Sequence, residues 1–201
     1  MVLVFAEHQK GAFKKSAFEA VTYGAKTAAV LGAECVALVL GNAENAGQLG
    51  TYGASKVYQV TSDHLAQFDS QVYTATIAAA AEQLGASTVV LSHSSTGKSL
   101  VGRLAVKLGA GSVAGVNAVP TNDGSFRVSK GVFSGKAFAT YEIKSDKKVL
   151  SLMGNAVPVE ETGAAVEVES LSVEVPAPKV KVKEVKRAEG TVPLPEAELV
   201  V

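Results

Sequence analysis

The stretch with the most chemical promise is Ser92-His93-Ser94-Ser95-Thr96-Gly97-Lys98-Ser99. A phosphate-cradling loop has a glycine, four further residues and then Gly-Lys-Ser/Thr, so that backbone N–H groups and a lysine surround the anion. Gly97-Lys98-Ser99 supplies the end of that pattern, but Ser92 stands at the leading position, where a side chain hinders the sharp turn. A helix starting here would still aim free N–H groups and the positive end of its dipole at an anion. The plainer reading is a capped helix start with Lys98 in solvent. Phosphate or nucleotide binding by the Thr96–Ser99 loop stands as the alternative.

Glu7, His8 and His93 are the other polar groups that follow apolar runs. A metal centre requires at least three placed ligands, and neither a second cysteine nor a close histidine pair supplies them. The Gly-x-Ser-x-Gly pattern of a hydrolase nucleophile is absent, and Glu160-Glu161 reads as a solvated turn. Cys35 lies inside an apolar run and reads as a small core residue rather than a reactive thiol. No catalytic, cofactor-binding or metal-ligating residue is assigned, and no catalytic centre is expected in this chain.

The elements that must position these groups alternate. Val2-Leu3-Val4-Phe5, the helix-length Lys15–Leu31 stretch and Cys35–Leu40 give strand, helix, strand, the signature of a parallel βαβ unit. Leu31-Gly32 marks a helix stop. Asn42 is expected to cap a short helix over 43–48, broken by Gly50 and Gly53, the latter at positive φ. Lys56–Val60 reads as a strand, Ser70 to Gly85 as a helix, Thr88–Leu91 as a strand buried on both faces, and Gly97–Leu108 as a helix. Ligands in such sheets sit beyond the carboxyl ends of the strands, at the point where strand order reverses. A reversal between the first and fourth strands would bring Glu7, His8 and His93 together there, lining a crevice or a subunit contact.

After Gly109 the helices stop. Val116–Val119, Phe126–Val132, Ala137–Ile143 and Val149–Leu152 read as strands divided by turn signals at Asn122-Asp123-Gly124, Ser134-Gly135 and Ser145-Asp146. The expected fold is α/β: a Rossmann-like parallel sheet with helices on both faces, extended by antiparallel strands after about residue 115. The valine and charge alternation over 166–169, 173–175 and 180–183 reads as edge strands whose lysines oppose aggregation.

The 201 residues suit one domain or one domain with an appendage, and 47% apolar residues suffice for a core. Nineteen basic and nineteen acidic side chains cancel, so no net field draws the chain to nucleic acid. The 19% charged content is low and hints at a surface covered by a partner. A lone cysteine points to a reducing compartment, cytoplasmic in a bacterium. No apolar run approaches the roughly 18 residues of a membrane helix, so membrane insertion is not expected.

Several pieces taken together resemble the N-terminal domain of the electron-transfer flavoprotein alpha subunit. Leu3-Val4-Phe5-Ala6-Glu7-His8 is similar to that family's first strand and its Ala-Glu-His ending. Leu40-Gly41 and Tyr52-Gly53-Ala54-Ser55-Lys56-Val57 resemble the end of the second strand and the Tyr-Gly-Ala turn. Thr96–Ser99 through Arg103–Leu108 is similar to the helix carrying Gly-Arg/Lys-Asp and Pro-Arg-x-Ala-x-x-Leu, and Phe133-Ser134-Gly135-Lys136-Ala137 to the aromatic-x-Gly-x-Ala turn. Ser99 stands where the family often has Asp, Gly102 where Pro precedes Arg, and Ala114-Gly115 where an Asp commonly follows.

The resemblance implies a scaffold and subunit-interface domain of an FAD-containing heterodimer, an electron carrier rather than a catalyst. It implies an electron-transfer flavoprotein beta subunit as partner. Through the full complex, electrons would pass from dehydrogenases such as acyl-CoA dehydrogenases, in fatty acid beta-oxidation, to a quinone reductase. It implies residues 1–187 as the N-terminal domain and 188–201 as a linker and first strand of a further domain holding the FAD. No FAD ligand is expected on this chain.

Overall fold

Four consecutive buried residues, Val2 to Phe5, form β1 (Val2–Phe5), which has sheet neighbours on both sides and apolar contacts on both faces. The computed structural model describes residues 1–184. A small hairpin of β2 (His8–Gln9) and β3 (Ala12–Phe13) follows, turned by Lys10 (φ 51°) and Gly11 (φ 86°). Consecutive positive φ values match the right-handed twist of a two-residue hairpin. Next come α1 (Lys15–Leu31), closed by left-handed Gly32, then β4 (Cys35–Leu40), a 3-10 helix over Ala46–Tyr52 and β5 (Lys56–Val60). After a 3-10 turn at Asp63–Leu65 come α2 (Ser70–Gln83), β6 (Thr88–Ser92) and α3 (Ser95–Leu108). The chain continues through β7 (Gly111–Val116), β8 (Thr121–Asn122), β9 (Phe126–Val132), β10 (Ala137–Glu142), β11 (Lys148–Leu152) and β12 (Val168–Ser170).

Ten of these strands make one sheet in the order β10-β9-β7-β11-β6-β1-β4-β5-β12, with β8 against β9. From β7 to β12 every neighbouring pair is parallel, while β8, β9 and β10 are antiparallel. One face packs on α1 through Val2, Val4, Tyr23, Ala37 and Val90. The other packs on α2 and α3 through Leu3, Leu38, Ile77, Leu91 and Leu104. Each such valine, leucine or isoleucine contributes about 1.5–3 kcal/mol by leaving water, so the two-sided strands dominate the stability. The α/β expectation holds, with helices on both faces.

Four local readings change. The 149–152 strand does not join the antiparallel extension; it inserts parallel between β6 and β7. Its Val149 to Leu152 are all buried, a pattern that central strands satisfy and edge strands do not. The strand expected at 116–119 lies earlier, over Gly111–Val116, and ends beyond a register shift at Gly115, whose φ is +77°. The helix expected over 43–48 is a 3-10 helix that starts at Ala46 and runs through Gly50 to Tyr52. Of the three valine-rich alternations only Val168–Ser170 pairs, because among the described residues no strand lies beyond β12 to receive the others. The linker and strand expected over 188–201 lie outside the described residues.

Candidate functional site

The chain runs outward from β1 through β4 to β5, then returns to place β6 on the other side of β1. The adjacent connections diverge at this switch point and leave a cleft of about 1520 Å³, lined by Glu7, His8, Asp63, His93, Ser94 and Lys98. Sequence reasoning placed Glu7, His8 and His93 at this crevice, and the fold brings them there.

Both ring nitrogens of His8 are engaged. Nε2 lies 2.8 Å from the carbonyl oxygen of Leu40, and Nδ1 3.3 Å from the N–H of Gly11. A carbonyl accepts only and an N–H donates only, so Nε2 carries the proton and Nδ1 accepts. His8 thereby ties the β2–β3 hairpin to the end of β4, and its ring packs edge-on to Phe13 at 5.9 Å. No lone pair remains for a metal.

Glu7 is tied to the start of α3. Ser94 Oγ donates to Glu7 Oε2 at 2.5 Å and accepts from the N–H of Gly97 at 3.0 Å. Ser94 is therefore the N-cap, and the carboxylate behind it meets the positive end of the helix dipole. Only His93 and Ser94 separate β6 from α3, too short a loop to wrap a phosphate chain. A Cβ at Gly97 would lie 1.8 Å from the backbone oxygen of Ser92. That glycine is required for helix–strand packing, and the Thr96–Ser99 segment is the first turn of a capped helix.

His93 Nδ1 lies 2.8 Å from Ser151 Oγ, which also accepts from the N–H of Gly115 at 3.1 Å. The fully buried hydroxyl has its own proton to place, so it donates to His93 Nδ1. Loss of water contact, with Lys98 and Lys130 nearby, holds the imidazole pKa below its ordinary 6.5. Across the cleft floor, Glu19 is buried yet partnered, 3.6 Å from Lys15 Nζ and 3.3 Å from the N–H of Asn155. Lys15 Nζ donates to Asn155 Oδ1 at 2.8 Å. Ser94 was findable as a serine before a helical pattern. Ser151 and Asn155 carried no local signal, since their partners lie 58 and 140 residues away.

The remaining candidates are structural. Glu160 is not simply solvated: it pairs with Lys26 Nζ at 2.6 Å and holds the returning chain against α1, whereas Glu161 is exposed. Cys35 is buried, and burial pushes its thiol up to about 12, so almost no thiolate forms at neutral pH. Among the described residues no group of three or more metal-ligating side chains converges. A dinucleotide also finds no fit at this cleft. The glycine before α1 is spent on the hairpin turn, and Glu7 lies against the cap of α3, where a pyrophosphate would be repelled.

Residues 2–176 match the model of the electron transfer flavoprotein domain. The chain belongs to that family. Relatives of this electron transfer flavoprotein domain are named as alpha subunits. The electron transfer flavoprotein subunit alpha of Mycobacterium leprae (strain TN) is 34% identical over 183 residues, covering 88% of this chain and 54% of the relative. That of Syntrophomonas wolfei is 28% identical, covering 81% and 50%. That of Bacillus subtilis (strain 168) is 28% identical, covering all of this chain and 62% of the relative. The chain spans about half the length of the curated relatives it matches, in keeping with an N-terminal alpha-subunit domain. Among the described residues no helix is long and apolar enough to cross a membrane.

Proposed function

We propose that this chain is the scaffold and subunit-interface domain of an electron-carrying heterodimer. In that reading it binds an electron transfer flavoprotein beta subunit, and the FAD is held outside the residues described here. The assembled complex takes electrons from dehydrogenases, acyl-CoA dehydrogenases among them, and passes them to a quinone reductase in a soluble, reducing compartment. The flavin supplies the redox chemistry when bound, and the protein places it.

The observation that carries this reading is where the apolar surface lies. In the cleft Glu7, His8 and His93 are already hydrogen-bonded, while the β9–β10 hairpin displays Phe133 (80% exposed), Phe138 (73%) and Tyr141 (42%). Large exposed aromatics on one element mark a protein contact rather than a solvated surface.

Co-expression with a matching beta subunit tests it. One heterodimer peak in gel filtration is expected, and separate elution of the two chains would overturn the reading. AMP or ATP titrated into the isolated chain should show no binding near micromolar, about −8 kcal/mol. Saturable binding at that level would instead support the nucleotide module built on Thr96–Ser99. Isolated chain carrying stoichiometric flavin would contradict the placement of FAD elsewhere.

A further inference from the structure

A 3-10 helix has three residues per turn, so positions i, i+3 and i+6 eclipse one another. In the Ala46–Tyr52 helix and its cap those positions are Gly47, Gly50 and Gly53, giving one face without side chains. The backbone that returns from β11 lies in this trough. Thr162 and Gly163 donate their N–H groups to Thr51 O at 2.8 and 3.1 Å, and Val166 donates to Gly47 O at 3.0 Å. A Cβ at Gly47 would lie 2.3 Å from Val166 O, and one at Gly50 2.5 Å from Ala164 O. The segment then adds β12 to the edge of β5, donates from Leu171 N to Gln59 O at 2.8 Å, and reaches the cleft rim. There Val175 O lies 3.2 Å from His64 Nδ1.

This strap is held by a different class of contact from the core. Its seat is backbone in a glycine trough, its strand is three exposed residues, and its ion pairs Lys26–Glu160 and Lys56–Glu169 sit near the surface. Of its residues only Leu171 is buried, with Val166, Val173 and Val175 half-buried against the core. Few buried apolar contacts and solvent-reachable hydrogen bonds are the marks of a unit that opens below the global unfolding limit.

We propose that residues 158–175 form a detachable latch, which when seated delivers the chain beyond Val175 to the mouth of the cleft, and when released frees it on a longer tether. Release lengthens that tether by up to 18 residues, a reach of about 60 Å when extended. The parallel direction of β12 matters here, because an antiparallel edge strand would send the chain to the opposite end of the sheet. The latch goes beyond the scaffold reading and does not depend on it.

Hydrogen exchange on the 201-residue chain tests this. The N–H groups of Thr162, Val166 and Leu171 should exchange at least tenfold faster than those of β1 and β4. Gly50→Ala, which blocks the trough, should bring them within about threefold of unprotected rates while β1 and β4 stay as protected as before. The double variant Glu160→Gln with Glu169→Gln leaves the trough intact and should speed only the strap, severalfold. Equal protection of strap and core in the unaltered chain would overturn the latch. So would equal acceleration of strap and core in the double variant, which remains decisive if Gly50→Ala does not fold.

Discussion

Gly97 and Gly102 occupy the same helix under opposite constraints. At Gly97 the space is taken by backbone, whereas nothing lies within 4 Å of a Cβ at Gly102. Gly97→Ala should therefore cost about 3 kcal/mol through overpacking, and Gly102→Ala should gain about 1 kcal/mol through helix propensity. Urea unfolding of the pair measures both, and similar effects from the two would refute the packing argument. The neighbouring His93 gives a pH dependence of known sign. Its pKa is lowered in the folded chain, so the unfolded chain takes up the proton first as pH falls. The stabilisation is complete above about pH 6.5 and is lost as pH drops from there through the folded-state value. The urea midpoint of the unaltered chain should fall more between pH 7.5 and 5.5 than that of His93→Gln. Cys35 should resist thiol reagents until urea unfolds the chain, because its sulfur is buried and its thiolate suppressed. These residue roles were only partly legible: that Gly97 starts a helix reads from its neighbours, but that Ser92 O abuts it does not.

At the scale of elements, the β9–β10 hairpin carries its own strain. Phe133, Ser134 and Gly135 all have positive φ, at 52°, 55° and 82°. A bulky residue in that region costs on the order of 1 kcal/mol, and the exposed ring of Phe133 gains little packing against the described residues to offset it. Phe133→Asn should leave the isolated chain as stable or up to about 1 kcal/mol more so, and should weaken beta-subunit binding at least tenfold. Calorimetric titration against the beta subunit measures the second quantity, and unchanged affinity would remove Phe133 from the interface. The hairpin itself was legible, since Ser134-Gly135 divides two alternating runs. The 3-10 helix was misread because Gly50 looks like a breaker until its partner, the strap, is in place, whereas Gly53 does end the helix, at a φ of 107°. The 149–152 strand was misassigned for a related reason: a short buried run does not state its direction, and its partners in the sheet lie 36 or more residues earlier in sequence.

At the scale of the whole molecule, the strap also covers a sheet edge. Without β12, the outer N–H and C=O groups of β5 would be free to pair with another chain. A chain ending at Val157 should keep its far-ultraviolet circular dichroism yet self-associate with rising concentration in analytical ultracentrifugation. A monomer at all concentrations would show that β5 is protected by its own residues. That shortened chain keeps fourteen basic and ten acidic side chains, a net charge of +4, so pairing of the bared β5 edges must overcome a modest repulsion.

The amino-acid sequence alone determined the alternation of strands and helices, the helix ends at Gly32, Gly85 and Gly109, and the family. Each of these is local information, carried by apolar period, by a glycine able to take positive φ, or by short motifs in order. Tertiary structure decided that β11 lies between β6 and β7, that Ser151 and Glu7 bond the adjacent His93 and Ser94, and that Gly47 and Gly50 form a seat. Those facts depend on which strands become neighbours. Burying both faces of the sheet at once selects that order, a condition no single stretch of chain can express.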